Sequence, residues 1–224
     1  MELTAGVYGL ELAVAFAGRE LAIRPVAVET PNGLLLLDVG LPGGLDTLRE
    51  GLTAEGLALE DVWAVALTHQ DLDHAGCLAA VVEATDAVVF AHEADAPVLE
   101  GEEPPIKGGE DGGLDPATVD VRLTGGETFA TEAGPLTAVH TPGHTPGHTS
   151  FVLPNQGLLL AADALNVADG ELVGPREDAT PDLETAAESV AKLAGLAVDR
   201  TFCFHGGGVD AGTEAIESVA SGEN

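Results

Sequence analysis

VWAVALTHQDLDH, residues 62–74, is the stretch from which the fold is read. Its first six residues are all apolar, which suits a strand buried on both faces and is too short for an ordinary helix. The strand runs without a break into Thr68-His69-Gln70-Asp71-Leu72-Asp73-His74. Residues 75–85 (AGCLAAVVEAT) then have the apolar density of a helix packed on a sheet, and residues 86–92 (DAVVFAH) are strand-like again. Strand, loop, helix, strand is a βαβ unit, and it places the chain in the α/β class.

Upstream, residues 21–29 (LAIRPVAVE) read as one strand. Pro31-Asn32-Gly33 is a turn signal, and residues 33–39 (GLLLLDV) form a second short apolar run that ends in Asp38-Val39-Gly40. LDTLREGL has helical spacing from about Asp46. Downstream, residues 100–116 (EGEEPPIKGGEDGGLDP) show no apolar period and no aromatic, so a long loop without a stacking lid is expected. Residues 119–123, 137–140, 150–153, 158–163 and 201–205 are strand-like, and residues 181–198 are helical in pattern, with Asp182 or Thr180 as the cap. The halves echo each other, but no fixed-period repeat marks a solenoid. Residues 1–224 are expected to form one domain.

Composition bounds the function. Of 224 residues, 45% are apolar, enough for a real core, yet no apolar run approaches the ~20 residues of a membrane helix. The N-terminal stretch carries Glu2 and Glu11 and no early cation, opposite to a signal peptide, so a soluble, cytoplasmic protein is expected. Thirty-eight acidic residues against 8 basic ones give a net charge of −30, which disfavours nucleic acid and anionic membrane as partners. The acids are scattered along the chain rather than run together as a tail, and this fits adaptation to the high salt of an extreme halophile. Cys77 and Cys203 form no CxxC pair and read as buried thiols.

Histidine carries the chemistry. Six of the 7 histidines fall in loops at strand ends: His69 and His74, His140, His144 and His148, and His205. His92 stands apart and reads as packing. Imidazole and carboxylate are the usual non-sulfur ligands of zinc and non-haem iron. His69, Asp71, Asp73 and His74 crowd four such groups into six residues. Two carboxylates so close repel unless a cation stands between them. Pro142-Gly143 makes a tight turn that re-aims His144.

The chain resembles the metallo-β-lactamase superfamily. THQDLDHAG is similar to the H-x-H-x-D-H motif, LLLLDVGLP to the early Asp-x-Gly strand end, TPGHTPGHT to the third-histidine loop, LLLAADA to the bridging-aspartate strand and CFHGG to the final histidine, in family order. The resemblance implies an αββα four-layer sandwich with metal at one edge. It implies His69, Asp71 and His144 at a first site, Asp73, His74 and His205 at a second, Asp163 bridging, and Asp38 supporting from behind. His140 and His148 are then supporting or packing residues. Asp71 stands where the family usually has histidine. Three readings stay open: a plain carboxylate ligand, a harder site for iron or manganese, or a weak first site that leaves one ion.

The family chemistry implied is hydrolysis of an ester, thioester or lactone of a small-molecule substrate, in the glyoxalase II-like manner. Two Zn2+ ions are expected, with Fe or Mn as alternatives, and Asp73 is the catalytic residue that holds the attacking water. Glutathione as a substrate group is not expected, because the segment after His205 is too short for the helical domain that glutathione-thioester hydrolases of the family use. The rival readings are a redox di-iron or persulfide-oxidising protein, a nuclease, and a non-catalytic metal-binding protein.

Overall fold

Gly33–Leu37 (GLLLL) is the strand on which the first sheet is built. Successive side chains of a strand point to opposite faces. Leu34 and Leu36 pack with Leu48, Leu52, Leu78 and Val81, while Leu35 and Leu37 pack with Leu136, Phe151, Leu160 and Phe202. Both faces are covered, which is why the run carries no polar alternation.

The computed structural model describes residues 1–16, 19–107 and 113–222. Among them the first sheet has seven strands, in the order Glu2–Thr4, Val7–Gly9, Val26–Thr30, Gly33–Leu37, Val62–Ala66, Val88–His92 and Val121–Leu123. The last four run parallel. The second sheet has six, in the order Thr128–Thr131, Gly134–His140, Thr149–Leu153, Leu158–Ala162, Arg200–Cys203 and Gly207–Val209. Only Leu158–Ala162 and Arg200–Cys203 pair in parallel there.

The inner faces of the sheets share one apolar cluster that reaches from Val7 to Phe202. Helices Leu45–Ala54 and Leu78–Thr85 cover the outer face of the first sheet through Leu48, Leu52, Leu78 and Val81. Helices Leu183–Ala194 and Thr213–Ser221 cover the second through Val190, Leu193 and Ile216. The layers are αββα, as the resemblance implied. Asp182 is the cap of the Leu183–Ala194 helix, its carboxylate accepting the Thr185 N–H at 3.0 Å.

One strand reading is corrected. Residues 21–29 are two strands in two sheets: Arg19–Ile23 pairs antiparallel with Leu12–Phe16, and Val26–Thr30 joins the first sheet. Pro25 separates them, because it has no N–H for a ladder and restricts the residue before it. Cys77 and Cys203 are buried free thiols, and burial pushes the Cys203 thiol pKa up, out of the reactive range. Among the described residues no helix is long and apolar enough to cross a membrane.

Candidate metal centre

The parallel strands of both sheets deliver their C-terminal ends to one edge, the place where open α/β sheets present their sites. Leu37 is followed within one residue by Asp38, which adopts a left-handed backbone (φ 66°). Its buried carboxylate accepts the Thr68 N–H at 2.8 Å, the Thr68 hydroxyl at 2.8 Å and His74 Nδ1 at 2.8 Å. With Nδ1–H donated to Asp38, the His74 Nε2 lone pair points away into the cluster. Thr68 Oγ1, its proton given to Asp38, accepts from His69 Nδ1 at 3.0 Å. His69 therefore also presents Nε2. Asp71 precedes the short helix Leu72–Ala75, which carries Asp73 and His74.

The second sheet contributes similarly. The pairing of Leu158–Ala162 with Arg200–Cys203 slips between Leu160 and Ala162, where Ala162 takes φ 50°. The slip swings Asp163 into the site. Arg200–Cys203 leads through Phe204 to His205. Gly143 (φ 126°) gives the expected tight turn, and a Cβ there would lie 2.4 Å from the Ala186 nitrogen. The turn therefore rests directly on the Leu183–Ala194 helix. It orients His144, whose Nδ1 meets Thr180 Oγ1 at 3.3 Å.

These placements bring all seven expected residues together. His69, Asp71 and His144 have ligand atoms within 4.8 Å of one another, as do His69, His74 and Asp163, and Asp73, His74 and His205. His144 Nε2 lies 3.0 Å from Asp71 Oδ2 and 3.4 Å from Asp163 Oδ2. His74 Nε2 is 3.4 Å from Asp163 Oδ1, and His205 Nε2 is 3.3 Å from Asp73 Oδ2 and 3.4 Å from Asp163 Oδ2. Two N or O donors bound to one ion at ordinary zinc distances stand about 3.0–3.4 Å apart. Among the described residues, His69 Nε2, His74 Nε2 and Asp163 Oδ1 are buried with no hydrogen-bond partner. Orphaned polar atoms of this kind are costly unless something binds them, and these three face one another.

The electrostatics agree. Burial opposes charge on Asp163, yet His74 and His205 hold its carboxyl well below the usual range. Burial likewise opposes charge on Asp71 and Asp73, and their neighbours outweigh it: His69, His144 and Lys107 around Asp71, His74 and His205 around Asp73. Against burial, Asp163 and Asp73 raise His205 to about 9. The carboxylates are thus ready in the charged form that a cation requires.

The remaining histidines are elsewhere engaged. His148 Nε2 accepts the Asp163 N–H at 3.1 Å and Nδ1 meets Thr141 Oγ1 at 2.9 Å, so neither nitrogen is free, and the ring holds Asp163 in position. His140 Nε2 donates to the Pro146 carbonyl at 2.9 Å, and its ring stacks on His92 with centroids 3.9 Å apart.

Three contributors escaped the sequence reading. Asp95, 1% exposed, accepts from Gln70 N, Gln70 Nε2, Thr145 Oγ1 and Gly147 N at 2.7–3.0 Å, and so ties the loop of His69 to the loop of His144. Thr180 orients His144. Lys107, from the long loop, donates to His144 Nε2 at 2.8 Å, to the Ala179 carbonyl at 3.0 Å and to Asp71 Oδ2. Asp95 follows the Val88–His92 strand at a spacing that carries no signal by itself, and a lone lysine in a loop usually reads as solvated.

Residues 20–205 match the family model of the metallo-β-lactamase superfamily. The chain belongs to that superfamily. It is similar to a probable metallo-hydrolase of Bacillus subtilis, YflN, with 31% identity over 207 residues that cover 79% of this chain and 76% of that protein. It is also similar to a hydroxyacylglutathione hydrolase of Ruegeria pomeroyi, 32% identical over 156 residues, 70% of this chain and 51% of that protein. Among solved structures, a metallo-β-lactamase variant of Cronobacter sakazakii superposes with TM-score 0.72 at 26% identity, covering 92% of this chain and 79% of the other. A metallo-β-lactamase family protein of Thermus thermophilus shares the fold at TM-score 0.78 and 22% identity, with 99% and 80% covered. The chain is a metallo-hydrolase of the metallo-β-lactamase superfamily, a family that binds divalent metals.

Proposed function

We propose that the chain hydrolyses the carbonyl of an ester, thioester or lactone in a small-molecule substrate, with a divalent metal, zinc, drawn from the set His69, Asp71, Asp73, His74, His144, Asp163 and His205. One observation carries this reading: three buried ligand-type atoms, His69 Nε2, His74 Nε2 and Asp163 Oδ1, have no hydrogen-bond partner, and they belong to residues whose ligand atoms lie within 4.8 Å of one another. A bound divalent ion supplies Lewis acidity there, polarising a carbonyl and bringing the deprotonation of water toward neutral pH.

The chain's own groups do the rest. Asp73 is the least buried carboxylate of the set at 31% side-chain exposure, so its oxygen is the one that meets a substrate water. As a carboxylate it accepts that water's hydrogen bond and fixes its line of approach. Asp38, Thr68 and Thr180 hold the tautomers of His74, His69 and His144. The hydroxyacylglutathione hydrolase relative supports a thioester as one substrate type. The acid excess supports a high-salt cytoplasm and argues against nucleic acid. The inter-sheet cluster, built from both halves, supports reading residues 1–224 as one domain.

The test is elemental analysis of protein purified in high-salt buffer, followed by an ester, thioester and lactone panel with and without chelator. Bound zinc and chelator-sensitive turnover are expected. No metal after incubation with zinc, iron or manganese refutes the reading, and bound iron with oxygen consumption but no hydrolysis replaces it with the redox alternative.

A further inference from the structure

Lys107 is one of two lysines in a chain with 38 acidic residues, and its ammonium lies inside the cluster rather than over solvent acids. An ammonium has three N–H donors. With the His144 ring proton on Nδ1, facing Thr180, rather than on Nε2, 3.0 Å from Asp71 Oδ2, each has an acceptor: His144 Nε2, the Ala179 carbonyl and Asp71 Oδ2. The loop that carries it is seated next door as well. The Ile106 N–H donates to Gln70 Oε1 at 3.2 Å, and Gln70 is itself held by Asp95. The cation is therefore placed by a built seat, not by chance contact of a long side chain.

Two facts make its position exclusive. An imidazole Nε2 has one in-plane lone pair, so His144 Nε2 accepts the ammonium proton or ligates a metal, and does not do both. Two of the buried ligand-type atoms without a hydrogen-bond partner, His74 Nε2 and Asp163 Oδ1, also lie away from Lys107, and the third, His69 Nε2, is shared between the two clusters, 3.4 Å from Asp71 Oδ2. His69 Nε2, His74 Nε2 and Asp163 Oδ1 are orphaned, whereas Asp71 and His144 have Lys107.

We infer that the Lys107 ammonium is the standing cation of the His69, Asp71 and His144 cluster, and that the chain holds one divalent ion, among His69, His74, Asp73, Asp163 and His205, rather than two. This rests on the metallo-hydrolase reading above. Lys107 neutralises Asp71 and occupies the His144 lone pair, so the first cluster has a fixed charge that a metal supplies in a two-ion site.

Zinc titration by calorimetry, with elemental analysis after gel filtration, tests it on the full chain. Wild type is expected to hold one tight ion, with a second binding at least 100-fold more weakly. Lys107→Met is expected to hold two, and Lys107→Arg, which keeps a cation, to stay at one. Two tight ions in wild type, or one in a folded Lys107→Met protein, overturn the inference and leave the hydrolase reading standing. No ion in any of the proteins overturns both. Should Lys107→Met fail to fold, the wild-type titration decides alone.

Discussion

Replacing Asp95 should separate the two halves of the site without touching a candidate ligand. Its Oδ1 accepts Gln70 Nε2 at 3.0 Å and the Gly147 N–H at 2.8 Å, and its Oδ2 accepts the Gln70 N–H at 3.0 Å and the Thr145 hydroxyl at 2.7 Å. In Asp95→Asn one oxygen becomes an NH2 group. Whichever way the amide turns, two buried donors then face a donor. A buried group left unsatisfied costs roughly 1–3 kcal/mol, so the loss is about 3 kcal/mol. In Asp95→Ala all four donors lose their acceptor, and the loss rises to ~5 kcal/mol. For a chain of this size, 1 kcal/mol shifts the unfolding midpoint by about 2–4 °C, so the Asn variant should melt ~6–12 °C lower and the Ala variant lower still. Differential scanning calorimetry of metal-loaded and chelated protein in one buffer measures both. The chelated comparison shows the hydrogen-bond loss without the ion's contribution. An Asn variant that melts within ~2 °C of wild type would refute the reasoning, since four donors on one buried carboxylate would then carry no net weight.

Asp38→Asn removes the charged acceptor of His74 Nδ1–H, and zinc affinity by calorimetry should fall roughly 10- to 100-fold with the fold intact, while an unchanged Kd would show that His74 needs no such partner. Leu35→Ala empties a fully buried position between the sheets and should cost about 2–5 kcal/mol in urea unfolding, whereas a loss below ~1 kcal/mol would mean that the inter-sheet cluster is not the core described.

The layers were legible because their signals are local. GLLLL and VWAVAL sit on parallel strands buried on both faces, and a continuous apolar run admits little else. The ligand-type residues were legible because histidine is scarce and clustered. What failed to show was whatever depends on contacts far apart in sequence. Residues 21–29 looked like one strand because both pieces are apolar, and only the pairing of Arg19–Ile23 with Leu12–Phe16 reveals that the chain changes sheets at Pro25. Asp95 contacts Gly147 across 52 positions, and Lys107 contacts His144 across 37. Neither separation has a period or spacing. Choosing His144 over His148 needed the family order of motifs, because both follow the same Thr-Pro-Gly pattern, and the reason His148 is excluded, that its Nε2 accepts the Asp163 N–H, is purely three-dimensional.

The departure at position 71 and the lysine of the long loop have one explanation if they are taken together. Three neutral imidazoles offer lone pairs but no negative charge, and would give an ammonium little reason to leave water. A carboxylate at 71 changes that balance. It gives Lys107 a charged partner, and His144 Nε2 and the Ala179 carbonyl complete the three acceptors. The same carboxylate without the lysine would be a buried charge among histidines, held only by their partial protonation or by a second ion. Aspartate at 71 and lysine at 107 are then halves of one device, and replacing either alone leaves the other uncompensated. Asp71→His alone should strand the ammonium, Lys107→Met alone should open the cluster to a second ion, and the double replacement should restore an ordinary two-ion site.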